Sequence, residues 1–324
     1  MRLIFIGSSE FGLPALQRLL EHDPPLLVVT QPDRPAGRRL KPRPCAVAEF
    51  AASRQLPLWQ PEQINAADSL ARISKLQPDL LITASYGGML GKELRKSARF
   101  GAINLHPSLL PLYRGASPIT AALLKGDSLT GVTIFKLTSR LDAGPILIQQ
   151  KLPILPEDNF SSLQSRLSEL AADLLLRLLE RYRSGEPPVQ QQDHSQASYT
   201  SKLLKSDLQI DWNQPALAVL NRIRAFSLEP GAFTWRGEHS LKILEAETLP
   251  EPANGLPGSI TEIIRNTGFS VNCQDRQLLI RSVQPAGKRI MDAWAYQLGA
   301  RLQPGELFSS REPAFSLPNS GESS

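Results

Sequence analysis

The sequence predicts an α/β protein, a Rossmann-like, doubly wound and mostly parallel sheet followed by a C-terminal OB-like β-barrel domain. Three observations carry this prediction. Through the first half of the chain, short wholly apolar runs alternate with amphipathic helical stretches, the pattern of strands covered on both faces by crossover helices. Several of these runs stop at Gly- or Pro-containing turns that also hold polar residues, and the carboxyl ends of such strands are where open α/β sheets bind ligands. From Ala232 onward the helices give way to short alternating runs separated by turn signals, the spacing of a small barrel.

Leu3–Ile6 is the first strand and Phe11–Leu20 an amphipathic helix with Leu13, Leu16, Leu19 and Leu20 on one face. The turn between them, Gly7-Ser-Ser-Glu-Phe-Gly12, is neither G-x-G-x-x-G nor a phosphate loop with a following Lys-Ser/Thr. Nicotinamide and nucleotide-triphosphate chemistry are therefore disfavoured. Leu26–Thr30 is the second strand. Residues 31–44 follow as a loop broken by prolines and a glycine, with Arg34, Arg38, Arg39, Lys41 and Arg43 crowded into it. Packed like charges keep such a loop exposed until an anion meets it, and long loops inside compact domains are uncommon unless functional. Val47–Ser53 and Ala67–Leu76 read as helices, and Leu56–Trp59 as a short strand. Asp79–Thr83 is a buried strand ending in Ala84-Ser-Tyr-Gly-Gly-Met-Leu90, where glycine lets backbone approach a ligand closely.

Ala102–Leu105 is a strand that breaks at His106-Pro107. Ser117 caps a helix running to Leu124, with Pro118 at its first position. Gly131–Leu137 is a strand, Thr138–Pro145 a loop containing Leu141-Asp-Ala-Gly144, and Ile146–Leu152 an antiparallel edge strand. Phe160–Tyr182 is a long Leu-rich helix that closes the first domain. The predicted division is a catalytic domain over residues 1–183, a linker over 184–204, a barrel over 205–314 and a disordered tail over 315–324. Within the barrel a helix spans Pro215–Ala225, followed by strands at Ala232–Arg236, Leu241–Ala246, Gly258–Ile264, Phe269–Cys273 and Gln277–Val283.

A chain of 324 residues with 41% hydrophobic and 21% charged residues is long enough for two cores and ordinary for a globular protein. No apolar run approaches a bilayer span, and the N-terminal apolar stretch is too short for a signal peptide, so a cytoplasmic protein without a membrane partner is expected. Cys45 and Cys273 are distant in sequence and the four histidines are scattered; free thiols and no bound metal are expected. The net charge of +5 permits a polyanionic partner.

A lone His beside a turn is ordinarily structural, but His106 has company. Asn104 lies two residues before it, so both side chains share a face of the strand, and Asp142 lies in a loop just past another strand. An imidazole that moves protons near neutral pH, a carboxylate that fixes its tautomer and an amide that meets a developing oxyanion are the parts of an acyl-transfer site.

The run Asn104-x-His106-x-Ser108-Leu109-Leu110-Pro111-x-x-Arg114-Gly115, followed by Gly131-Val-Thr-Ile134 and Leu141-Asp142-x-Gly144, resembles the folate-dependent formyltransferases. Arg114-Gly-Ala-x-Pro-Ile119 and Pro32-Asp-Arg-Pro-Ala-Gly-Arg38 are similar to the branch of that family that acts on methionyl-tRNA, as are Asn221–Phe226 and Gln284-Pro-Ala-Gly-Lys-Arg289. The resemblance implies the formyltransferase fold, 10-formyltetrahydrofolate as co-substrate and initiator methionyl-tRNA as acceptor, and the chain is expected to work as a monomer. It implies catalytic roles for Asn104, His106 and Asp142. It implies folate contacts at Tyr86, Gly87, Gly88, Ser108, Leu109, Leu110 and Pro111, with a cis peptide at Leu110-Pro111. It implies tRNA contacts at Arg38, and basic residues Arg39, Lys41, Lys205, Arg222, Lys288 and Arg289 are further candidates. The rival readings keep the catalytic set and change the acceptor to a sugar nucleotide, a purine precursor or water, or keep only the basic surface and make the chain a non-catalytic RNA-binding protein.

Overall fold

The computed structural model describes residues 1–36 and 41–309. The chain falls into two compact units, the first comprising Met1–Ala122 and Asp127–Lys202, the second Leu203 onward together with Leu123–Gly126.

The first unit is built on β1 (Leu3–Gly7), α1 (Leu13–His22), β2 (Leu27–Val29), β3 (Arg34–Ala36), β4 (Lys41–Arg43), α2 (Ala46–Ser53), β5 (Leu58–Trp59), α3 (Ala67–Lys75), β6 (Leu80–Ala84), α4 (Lys92–Lys96), β7 (Ala102–His106), β8 (Arg114–Gly115), α5 (Pro118–Lys125), β9 (Leu129–Lys136), β10 (Ile146–Pro153), α6 (Phe160–Ser184) and β11 (Tyr199–Thr200). Seven of these strands form one sheet in the order β10-β9-β7-β6-β1-β2-β5. The strands from β7 through β5 pair in parallel, while β9 is antiparallel to both β7 and β10. Every residue of β1 and β6 is buried, as continuous apolar strands between two helical layers must be. The chain runs outward from β1 to β2 and β5, then returns to the other side of β1 for β6 and β7. The direction of winding therefore reverses between β1 and β6, where an open α/β sheet splays its loops into a crevice. Glycine permits this close approach: a Cβ on Gly7 would stand 2.7 Å from the Ala84 carbonyl.

α6 opens with a reciprocal cap, the Asn159 side chain accepting from the Ser162 N–H and the Ser162 hydroxyl accepting from the Asn159 N–H. It buries Leu163, Leu167, Ala171, Leu174, Leu175 and Leu178, a one-sided stripe that covers the sheet. The cationic segment expected to be an open loop instead begins and ends as a ribbon. β3 pairs antiparallel with β4, with Pro35 opposite Pro42. Neither proline has an N–H to give, so the flanking pairs carry the ladder and the prolines cost it nothing. The stretch expected to be a linker also departs from a free tether: Gln190 bridges Ile146, and β11 pairs with β8 inside the first unit.

The second unit contains α7 (Ala216–Phe226), β12 (Ala232–Arg236), β13 (His239–Pro252), β14 (Ile260–Ile264), β15 (Gly268–Asn272), β16 (Arg276–Pro285), β17 (Met291–Asp292) and α8 (Ala293–Ala300). Its antiparallel sheet has the order β12-β13-β16-β15-β14, with β17 on β16. β13 runs well past the apolar Leu241–Ala246 core that marked it in sequence. The extra residues at its far end mix Glu247, Thr248 and Glu251 with Leu249 and two prolines and are largely exposed, and register shifts after Ile243, Glu245 and Thr248 carry them along β16. α8 was not anticipated; Asp292 caps it through the Ala295 N–H at 2.6 Å. The two outer strands are joined by the last described residues, Ser309 bridging Trp235 of β12 and Leu307 bridging Ser259 next to β14. Inside, Phe308 lies between Trp212 and Phe269, with ring centroids 6.3 and 5.8 Å away.

Candidate active site

β7 carries Asn104 and His106 to the carboxyl edge of the large sheet. Asn104 stands in register with Thr83 on β6, and the Thr83 hydroxyl donates to Asn104 Oδ1 at 2.6 Å. That bond sets the amide: the oxygen is occupied, and Nδ2 keeps both its N–H groups unengaged among the described residues.

His106 is buried, with 4% of its surface exposed. Its Nε2 lies 2.9 Å from the Tyr113 carbonyl. A carbonyl only accepts, so Nε2 carries the proton. Nδ1 faces Asp142 Oδ2 at 3.8 Å, beyond hydrogen-bond length. Burial lowers the imidazole pKa below its ordinary value, against the opposing pull of the Asp142 carboxylate and the Tyr113 carbonyl. The resting ring is neutral, with its lone pair on Nδ1. The tautomer was expected to be fixed by Asp142; it is fixed by the Tyr113 backbone, because that carbonyl, not the carboxylate, is at bonding distance.

Asp142 sits in the left-handed region at φ 45°, where Asp is tolerated better than most residues. Its Oδ2 accepts from the Gly115 N–H at 2.8 Å. Two residues on, a Cβ at Gly144 would fall 1.7 Å from the Lys136 carbonyl, so the Asp-x-Gly spacing is what lets the turn fold back over the end of β9. The Asp142 and Gly144 carbonyls both accept from Gln192 Nε2, at 2.9 and 2.7 Å.

The three predicted catalytic residues thus converge on one edge of one sheet. Thr83, the Tyr113 carbonyl, the Gly115 N–H and Gln192 belong to the same site and were missed. Backbone groups leave no trace in a residue pattern, and Gln192 lay in a stretch that read as linker. Arg114 was quoted only as part of a motif, yet it is 2% exposed and donates to Gln192.

The predicted folate residues divide. Gly87 and Gly88, both exposed, follow β6 at the crevice, and Gly87 has φ 80°. The Tyr86 ring is buried in the apolar cluster around Ile4, Leu81 and Leu90, and burial raises its phenol pKa; its carbonyl accepts from the Gln31 side chain at 3.2 Å. Ser108 is fully buried, and its hydroxyl donates to the Leu112 carbonyl at 2.7 Å, so this side chain builds the turn and does not face outward. Leu110 packs on Phe135 and Ile146, the Leu110-Pro111 peptide is cis, and Leu109 and Pro111 are half-buried.

Of the predicted tRNA residues, Arg38 and Arg39 lie outside the described residues. Lys41 begins β4. In the second unit Lys205 is exposed, as are Lys288 and Arg289 in the turn between β16 and β17. Arg222 is committed elsewhere: its guanidinium donates to the Asp207 carbonyl, and burial lowers its pKa. Among the described residues no helix is long and apolar enough to cross a membrane, and both cysteines are free thiols.

Comparison with known proteins supplies a second line of argument. Residues 1–179 match the family model described as formyl transferase, and residues 202–301 match formyl transferase, C-terminal domain. A methionyl-tRNA formyltransferase of Thermotoga maritima is 38% identical over 312 residues, covering 96% of this chain and 99% of the relative. One from Moorella thermoacetica is 40% identical over 308 residues, covering 95% and 99%. Among solved structures, HypX from Aquifex aeolicus in complex with tetrahydrofolic acid superposes with a TM-score of 0.62 at 19% identity, covering 92% of this chain. This chain spans 47% of HypX, about half its length, and the likeness speaks to fold alone.

Proposed function

Because the chain belongs to the methionyl-tRNA formyltransferase family, we propose that it moves the formyl group of 10-formyltetrahydrofolate onto the α-amine of methionine carried by initiator tRNA. The observation that carries the chemistry is the placement of the Asn104 amide, the bare Nδ1 of His106 and the Asp142 carboxylate at one sheet edge. The same edge fits the co-substrate: the unengaged Asn104 N–H groups are donors for a formyl oxygen, and the exposed Gly87-Gly88 backbone leaves room for a flat ring.

His106 Nδ1 takes a proton from the amine as that nitrogen closes on the formyl carbon. Asp142 stabilises the imidazolium so formed, 3.8 Å away. Asn104 Nδ2 donates to the oxygen as it gains charge. When the carbonyl re-forms and the bond to the folate nitrogen breaks, His106 returns the proton from Nδ1 to that leaving nitrogen. One ring nitrogen serves both transfers, since Nε2 stays bonded to Tyr113, and atoms and charge balance without a covalent enzyme intermediate. A monomer is the proposed working unit, and the free thiols fit a reducing cytoplasm.

A formylation assay tests the assignment. Transfer to methionyl-tRNA with none to free methionine is expected; transfer to a small amine alone would assign a different acceptor, and no transfer with intact tRNA binding would leave an RNA-binding protein. The basic segment supports a phosphate contact, with Arg38 the residue that meets the acceptor stem. Arg38→Ala should weaken tRNA binding and reduce the slope of log K against log salt by about one. Fluorescence titrations at several salt concentrations measure that slope, and an unchanged one removes Arg38 from the phosphate set.

A further inference from the structure

The strap between α6 and the second unit enters the site through side chains to which the mechanism above gives no part. Gln192 is buried, and its amide is satisfied on every side. Oε1 accepts from Arg114 Nε at 3.1 Å and Nη2 at 2.6 Å, while Nε2 donates to the carbonyls of Asp142 and Gly144. A guanidinium has only donors, so it fixes which end of the amide faces it and turns the NH₂ group toward the catalytic turn. Arg114 is itself buried with no ion pair among the described residues. Its other contacts are neutral: Nη2 donates to His194 Nδ1 at 2.8 Å and Nη1 to the Tyr199 hydroxyl at 3.1 Å. Burying such a charge without a carboxylate is costly, and this set of acceptors is what offsets it. A wider grip accompanies it. Ser198 Oγ accepts from the N–H of Tyr113 at 2.8 Å, the residue whose carbonyl holds His106.

We propose that Gln192 is a positioning residue for formyl transfer, its amide oriented by Arg114 and clamping the left-handed turn that aims the Asp142 carboxylate at His106 Nδ1. The inference rests on the role given to Asp142 above. It predicts that two side chains far apart in sequence act on turnover through a third, and that neither contributes to folate affinity.

Gln192→Glu is the sharpest test. It keeps size and the Arg114 partner but sets a carboxylate oxygen against two carbonyl oxygens, forcing the turn open. Displacing a reacting group by about 1 Å costs on the order of 100-fold; kcat should fall toward that value while KM for the folate co-substrate holds. In an Asp142→Asn background the same change should cost less than about twofold, since the group it positions is already disabled. The His106 ring, followed by NMR, should titrate at lower pH in Gln192→Met, which loosens the turn without adding a charge, because the carboxylate that raises its pKa has moved away. Should Gln192→Glu fail to fold, Gln192→Met, of equal length and without the amide, carries the same cycle. A full loss in both backgrounds, or an unshifted imidazole, overturns the inference alone. Asp142→Asn turning over at the wild-type rate overturns the role of Asp142, and this inference with it.

Discussion

Asn104→Ala is expected to lower kcat about 100- to 1000-fold, the cost of removing one donor to a developing oxyanion. The argument is that the amide's two ends have separate duties. Oδ1 is held by Thr83, which fixes the plane before substrate arrives, and Nδ2 is left to meet charge that exists only during transfer. An interaction made chiefly in the transition state lowers kcat and kcat/KM together. Folate binding, followed by fluorescence quenching, should stay close to wild type while single-turnover formylation slows. A variant that binds folate poorly and turns over normally once saturated would contradict the assignment.

Asp142→Asn is expected to have an effect of similar or greater size, within the roughly 100- to 10,000-fold range of positioned acid–base groups, and to move the pH profile. In the wild type, burial holds the His106 pKa below its usual 6.5, and Asp142 works against that by favouring the imidazolium. The reactive ring is neutral, so activity is present above the lowered pKa and lost as pH falls through it. Neutralising Asp142 removes the carboxylate facing Nδ1 and leaves only the weaker pull of the Tyr113 carbonyl against burial. The acid limb of kcat/KM should therefore shift to lower pH even as the plateau drops. Tyr113 adds only its carbonyl to the ring, its phenol being bonded to Asp127. The same depressed pKa makes the neutral ring a source of stability that is full above the unfolded value and declines as pH falls below it. An acid limb that stays in place, or moves up, would mean that Asp142 does not set the charge of His106.

The sequence was most informative where burial dictates residue type. The inner strands of the large sheet are largely apolar and buried, so β1, β6 and β7 could be read within a residue or two. That Asn104 and His106 share a face followed from strand periodicity, while their catalytic roles came from the residue types and the family resemblance. The order of strands and the reversal beside β1 are topological facts that no local pattern encodes. The tautomer of His106 also escaped reading, because it depends on a main-chain carbonyl that a turn brings round from Tyr113. Gln192 was hidden for a different reason. Its stretch is polar, with a Gly, two prolines and a Gln run, the composition of a tether, and only tertiary contacts, the Gln190 bridge to Ile146 and the Gln192 bonds to the Asp142 turn, reveal it as part of the site. In the second unit, β13 outran its apolar core since backbone pairing with β16, not hydrophobic alternation, holds its far half.

The closing of the second unit's sheet by residues 305–309 has a practical side. Those few residues occupy the free N–H and C=O rows of two outer strands at once, with Ser309 exchanging both backbone bonds with Trp235, and Gly305 and Ile260 linked at 2.8 Å. A truncation that removed them would uncover two adhesive borders on one small domain, each a template for another molecule's chain. Such a shortened protein would be prone to aggregate with its catalytic machinery untouched.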